Sequence, residues 1–248
     1  MIGPCGPADE RGRLLDDCVA VGRTDAGWYC CGVLVHPRVV LTTAHSGPAG
    51  GCAIPNAVIL GTADLSQTAR AEIVRGAFVA HAAFGGKGAY DLAAMVLERE
   101  AAAAPIPMAT TSEIAAAHEV ILAGFGAGRE ERLGLSVRRA ITVPVACFSA
   151  TPSPAAASAF PHARFNPACE FLAGADDRGP SFGDSGGPVY VVTGGQRRLA
   201  GIISRPAARK KPYCNGLTIL TRIDVFADWI QDRIAVTAAS PTAVVSAS

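Results

Sequence analysis

An excess of charge of either sign is missing from this sequence. Its 22 basic and 21 acidic residues leave a formal net charge of +1 over 248 residues, so neither nucleic acid nor an acidic membrane surface is implied as a partner. Long apolar runs are missing too, and none reaches the ~18 residues of a membrane span. The opening stretch MIGPCGPADERGR has no apolar segment of the kind that directs secretion. If Met1 is the true start, the chain stays in the cytoplasm; if a leader was removed, it belongs in the periplasm or outside the cell. No CxxC pair occurs, which excludes the commonest structural zinc pattern, and no metal or organic cofactor is implied. Cysteine itself is not scarce. Eight are present, an even number that suits an oxidised framework.

What is abundant is short β-rich segments between turn signals. CGVLVHPRVVLTTAH reads as strands at Gly32–Val35 and Val39–Thr43 around a His36-Pro37-Arg38 turn. Val189–Val192 and Leu199–Ile203 flank Thr193-Gly194-Gly195-Gln196, a hairpin signal. Many strands at close spacing with few helical patterns predict an antiparallel all-β barrel or sandwich. One helix is expected, in DVFADWIQDRIAV, where Phe226, Trp229, Ile230 and Ile234 share a face. Residues 148–168, rich in Pro, Ser and Ala, read as a long surface loop. The low-complexity stretch 237–248 is expected to be a disordered tail after a domain covering 1–236.

FGDSGGPVY concentrates three glycines and a proline around Ser185. Glycines are favoured where the backbone needs positive φ or a very close approach, so this is a tight loop displaying a serine beside Asp184. A serine hydroxyl is a weak nucleophile until a base, usually histidine, is oriented against it. Of the five histidines, His45 in LTTAHS follows a strand and sits among small residues. Asp91 heads the apolar run DLAAMVL, a costly place for a carboxylate unless donors such as an imidazole N–H meet it.

TTAHS, YDLA and GDSGGPV, in that order, resemble the signature segments of the chymotrypsin/trypsin family. VILGTADL, GFGAG, LAGIIS and LTRIDVFADWIQDRI extend the resemblance from about Val19 to about Val236. It implies two antiparallel six-stranded β-barrels with a C-terminal α-helix, the boundary between barrels falling near 105–118. It also implies that Ser185 attacks a carbonyl, His45 shuttles the proton and Asp91 orients the imidazole. The backbone N–H groups of Gly183 and Ser185 would form the oxyanion hole, and Ser204 would support Asp91.

The same resemblance places Gly179 at the base of the specificity pocket, with Pro180, Phe182, Arg205, Pro206 and Thr218 around it. No acid stands at Gly179 to select Lys or Arg, although Asp176 and Asp177 are close in sequence. Thr218 would make the pocket shallow, and Pro206 lacks the donor that relatives offer to extended substrate. Arg205, Arg209, Lys210 and Lys211 either contact acidic substrate residues or form a solvated loop.

Other departures concern cysteine and activation. Ser46 replaces a cysteine that relatives pair, leaving Cys52 as a mate for Cys30 or Cys31. Cys147–Cys169 and Cys5–Cys18 are further candidate pairs, and Ser181 leaves Cys214 without its usual mate. Relatives activate when a cleaved amino terminus pairs with the acid before the serine, here Asp184. The chain therefore reads as a precursor needing an activating protease, as a protein processed at Ile2, or as one in which an internal arginine meets Asp184. Two functions follow: a serine endopeptidase acting on protein or peptide substrates and preferring small apolar residues, or a latent homologue that binds proteins.

Overall fold

The computed structural model describes residues 15–86, 88–127, 137–148, 165–175, 179–207 and 216–239. Six strands come first: β1 (Cys18–Arg23), β2 (Gly27–His36), β3 (Val39–Thr42), β4 (Ala57–Leu60), β5 (Glu72–Ala80) and β6 (Ala93–Leu97). They close into an antiparallel barrel in the order β1-β2-β3-β6-β5-β4. After a connector holding the short helix α1 (Thr111–Ala115) come β7 (Glu119–Gly124), β8 (Arg139–Cys147), β9 (Glu170–Ala175), β10 (Pro188–Thr193), β11 (Gln196–Pro206) and β12 (Gly216–Arg222). These close a second barrel in the order β10-β11-β12-β9-β8-β7. Of the two architectures the strand pattern allowed, the barrel forms, and it forms twice.

Period-two alternation explains why the strands read as continuous apolar runs rather than as alternating ones. In CVAVGR, Val19 and Val21 fill the interior of the first barrel with Leu34, Val40, Val58 and Met95. Cys18 and Ala20, on the opposite face, join Val33, Leu41, Phe125 and Tyr190 in a cluster shared by the two barrels. One face packs inside a barrel and the other against its neighbour, so both are buried. The second interior is built by Val120, Leu122, Val143, Phe171, Val189 and Leu220. Seams and interiors together leave a groove between the barrels where loops from each can meet.

The hairpin at Gly194-Gly195 forms as expected, with Thr193 paired to Gln196. Helix α1 starts with a capping box, in which Thr110 accepts from the Glu113 N–H and Glu113 accepts from the Thr110 N–H. The closing helix α2 (Ala227–Ala239) follows a 3-10 turn at Asp224–Phe226 and runs past the expected domain end. Arg38 explains part of the extension: its guanidinium donates to Thr237 O at 2.9 Å and to Leu97 O at 3.1 Å, pinning the helix to the first barrel. Residues 237–239 are thus helical, while 240–248 lie outside the described residues, as does most of the 148–168 segment.

The cysteine framework differs from expectation. Among the described residues, Cys18, Cys30, Cys31, Cys52 and Cys169 are free thiols. Strand geometry gives the reason for Cys147–Cys169: β8 and β9 pair Cys147 with Leu172, and Cys169 turns into the cluster between barrels instead. Cys30 points into the first barrel and Cys31 to the seam, whereas Cys52 stands exposed beyond the end of β3. Cys5 and Cys214 lie outside the described residues. Brief iodoacetamide treatment of the native protein should therefore modify Cys52 well ahead of Cys18, Cys30, Cys31, Cys147 and Cys169, as peptide mapping by mass spectrometry would read. Equal modification of the six would contradict this packing.

Candidate active site

His45 is set by the way β3 ends. Thr43 and Ser46 join their hydroxyls at 2.6 Å and close a single 3-10 turn, Ala44–Ser46, that projects the imidazole from the barrel rim. Ser46, the residue in place of a cysteine, thus fastens the same turn by hydrogen bonding. Asp91 arrives just before β6, the strand that pairs with β3 and sets Ala93 opposite Thr42. It follows Tyr90, which has φ +64°, an unusual value for a bulky residue. The Tyr90 ring stacks on His81 and meets Phe226, from the 3-10 turn before α2, edge-on, so an aromatic cluster holds the strained backbone that presents Asp91. Thr221 on β12 adds a hydrogen bond to the Asp91 carbonyl at 3.2 Å.

These pieces meet at the groove. The buried Asp91 carboxylate accepts from the His45 N–H at 2.9 Å through Oδ1, while Oδ2 faces His45 Nδ1 at 2.7 Å. Ser204 Oγ donates to Oδ2 at 2.6 Å. On the far side of the ring, His45 Nε2 lies 3.0 Å from Ser185 Oγ. With a carboxylate at Nδ1, that nitrogen carries the ring proton and Nε2 is left to accept from the serine hydroxyl. Burial pushes the Asp91 carboxyl up, but the hydrogen bond and charge of His45 and the Ser204 hydroxyl outweigh it and hold Asp91 below its ordinary value.

Ser185 stands in a loop bonded to both barrels. Its carbonyl accepts from Cys31 N at 2.8 Å across the seam, and Gly186 N donates to Ile203 O at 2.8 Å. Gly186 has φ +82°, and a Cβ there would lie 2.2 Å from the Cys31 carbonyl oxygen. The glycine is therefore required twice over, by conformation and by space. Upstream, the Phe182 carbonyl accepts from Ala127 N at 2.9 Å. A trans peptide directs its N–H opposite its C=O, so the Gly183 N–H points away from Ala127. Among the described residues, neither Gly183 N nor Ser185 N donates to a protein acceptor, and both residues line the groove.

Asp184, buried behind this loop, accepts from Gly126 N and Ser181 N at 2.7 Å each. Gly124 and Gly126 make room for it, since a Cβ on either would fall 2.2 and 2.5 Å from the carboxyl group. Burial pushes this carboxyl above its ordinary value, against the Ser181 and Gly126 N–H groups and the charge of Arg139. The internal-arginine alternative thus has a candidate in Arg139, which also donates to the Gly126 carbonyl at 3.3 Å. Residues 1–14, including Ile2, lie outside the described residues.

Pro180, Phe182, Arg205, Pro206 and Thr218 all line the groove, a cleft of about 650 Å³ that also touches Tyr29 and Phe84. Gly179 is buried behind Pro180 and does not reach the wall. Arg205 belongs to strand β11 rather than to a solvated loop, and it pairs with the fully buried Glu170. An arginine so engaged is a poor anchor for an acidic substrate. Arg209, Lys210, Lys211, Asp176 and Asp177 lie outside the described residues. Two contributors escape the motif reading. Cys31 donates its thiol to Gly183 O at 3.0 Å and accepts from Phe125 N at 3.2 Å, a role that no local pattern signals. Glu170 heads the apolar run EFLAGA much as Asp91 heads its own, and that anomaly was a usable signal.

Two closed six-stranded barrels, with a serine, a histidine and an aspartate joined at their seam, have the architecture of a chymotrypsin-like serine protease. The family model for trypsin matches residues 16–230, and the chain belongs to this family. No curated protein matches the chain.

Proposed function

We propose that the protein is a serine endopeptidase that cleaves peptide bonds through an acyl-enzyme on Ser185. The observation that carries this reading is the unbroken chain from Ser185 Oγ to His45 Nε2 at 3.0 Å and from His45 Nδ1 to Asp91 at 2.7 Å. His45 takes the serine proton as Oγ adds to the scissile carbonyl, and returns it to the leaving amine. Water then repeats the cycle on the acyl ester. Asp91, held ionised, keeps the imidazole in the required tautomer and compensates the imidazolium. The Gly183 and Ser185 N–H groups receive the oxyanion, a task worth on the order of 10²–10³ in rate per donor in other enzymes. The bonds that Asp184 accepts from Gly126 and Ser181, and the one Phe182 accepts from Ala127, favour a loop already set for this task.

Substrate preference follows from the walls of the cleft. Among its described lining residues Asp91 is the only carboxylate, and His45 and Ser204 occupy it. Pro180, Ile203, Leu217 and Thr218 offer a wall suited to small apolar side chains before the scissile bond. A panel of peptide amides varied at that position tests both parts. Ala and Val should be turned over faster than Phe by roughly ten-fold or more, because an apolar pocket discriminates by about 1–3 kcal/mol per misfit group. Lys and Arg peptides should rank last. Preference for Lys or Arg would overturn the pocket assignment, and no turnover of any peptide amide would overturn the peptidase reading.

A further inference from the structure

Beyond the three residues of the triad, the hydrogen-bond chain continues into the second barrel. Ser204 Oγ, which donates to Asp91, itself lies 3.2 Å from Arg205 Nη1. Neighbouring side chains on a strand normally point to opposite faces. Here the pairing of β11 with β12 shifts register between Ile203 and Arg205, and the bulge brings both side chains toward one site. Arg205 is held by Glu170 in a two-pronged contact, Nη1 to Oε1 at 2.7 Å and Nη2 to Oε2 at 3.1 Å. Glu170 is completely buried and also accepts from Asn166 N at 2.6 Å. Nη1 reaches a third acceptor, the carbonyl of Gly88 at 3.1 Å, in the first-barrel segment that leads into Asp91.

We propose that Arg205 is a positioning residue for the triad, anchored by Glu170, which ties the segment carrying Asp91 to the second barrel and fixes the Ser204 hydroxyl as a donor to Asp91. A hydroxyl has one proton. With an arginine N–H against its lone pair, Ser204 Oγ directs that proton to the carboxylate 2.6 Å away. Glu170 and Arg205 together add no net charge, but the pair is oriented with its cationic end toward Asp91 and its anionic end away. Removing either partner should therefore alter the field at His45 with opposite sign. The other titratable or charged groups facing this network are Cys169, Tyr90 and His81, Arg222 with its partner Asp224, and, on the cleft side, Tyr29, Cys30 and Cys52. None of them is changed by the variants below.

This inference rests on reading His45, Asp91 and Ser185 as a triad, so the test observes His45 directly and does not need turnover. The His45 ring would be titrated by NMR in protein carrying Ser185→Ala, alone and with Arg205→Met, Glu170→Gln or both. Arg205→Met should move the His45 titration to higher pH, and Glu170→Gln to lower pH, by about 0.3–1 unit each. The double variant should return to within about 0.2 unit of the parent, since the two charges leave together. Arg205→Met leaves a buried carboxylate unpaired and is the variant most exposed to misfolding. If it does not fold, the fall in Glu170→Gln and its reversal in the double variant carry the test. Shifts in the same direction, or no shift in the folded variants, would overturn the proposal. The shifts, together with no peptide turnover by the protein that keeps Ser185, would count against the peptidase reading alone.

Discussion

Replacing Asp91 by asparagine should lower kcat by about 10⁴-fold while leaving the barrels folded, the loss that the same exchange causes in the serine-protease triad taken as template. The reason lies in the donor count around His45. An amide can still accept at Oδ1, but its NH₂ turned toward the ring would leave Nδ1 as acceptor and place the ring proton on Nε2, opposite Ser185. The serine then faces a donor instead of a base. The same variant has a pH signature in stability. The folded Asp91 carboxyl is held below its ordinary value, so its stabilising effect is complete above about pH 4 and is lost as pH falls through the folded value. Urea midpoints measured from pH 6 downward should therefore show the parent's advantage over Asp91→Asn shrinking in acid. A constant difference would mean that the Asp91 carboxyl gains nothing from its partners on folding, and an advantage that grows in acid would mean that Asp91 is protonated in the folded protein.

The second large effect belongs to Gly186→Ala. Its φ of +82° is unfavourable for alanine by roughly 1–2 kcal/mol. The new methyl would also lie 2.2 Å from the Cys31 carbonyl and 2.4 Å from the Thr42 hydroxyl, neither of them a flexible chain end. Overpacking of this kind adds about 1–3 kcal/mol. Together these give roughly 3 kcal/mol, and a fall in Tm of about 6–12 °C for a domain of this size. Relief requires the Ser185 loop to draw back from the first barrel, which also lengthens the gap between Ser185 and His45. A loss of activity should accompany the loss of stability, measurable by thermal unfolding and by turnover at a temperature where the variant remains folded.

Much of the site was legible because its motifs are local. TTAHS, YDLA and GDSGGPV each carry one functional side chain with the small residues that let it stand close to a neighbour, so a few residues report both chemistry and backbone shape. The hairpin at Gly194-Gly195 and the apolar face of the closing helix are local in the same sense. Barrel closure is different. It depends on β1 meeting β4, β3 meeting β6, β7 meeting β10 and β9 meeting β12, pairs between segments remote in sequence. Alternation along single strands therefore left barrel and sandwich equally open until the family resemblance chose between them. The Arg205–Glu170 pair was hidden for the same reason, since its members lie on separate strands and a bulge aims one of them. Cysteine count misled because pairing needs facing registers. Cys147 faces Leu172, and Cys30 and Cys31 divide between interior and seam.

The Ser185 loop now reads as a joint between barrels. Cys31 reaches it twice, through its N–H to the Ser185 carbonyl and through its thiol to the Gly183 carbonyl. Burial pushes the Cys31 thiol well above its ordinary value, so it stays protonated and able to donate. Asp184 secures the loop from behind and Gly186 lets it touch the first barrel. Function on this account is a property of the seam, where each barrel supplies what the other lacks: base and acid from the first, nucleophile and oxyanion donors from the second.

The most direct test is to treat the protein with a fluorophosphonate probe, which bonds only to a serine activated as a nucleophile, beside Ser185→Ala as control. The parent should be labelled at Ser185, as mapped by mass spectrometry, and the Ser185→Ala protein not at all. Absence of labelling in folded parent protein would contradict the peptidase reading and would identify the chain as a latent member of its family.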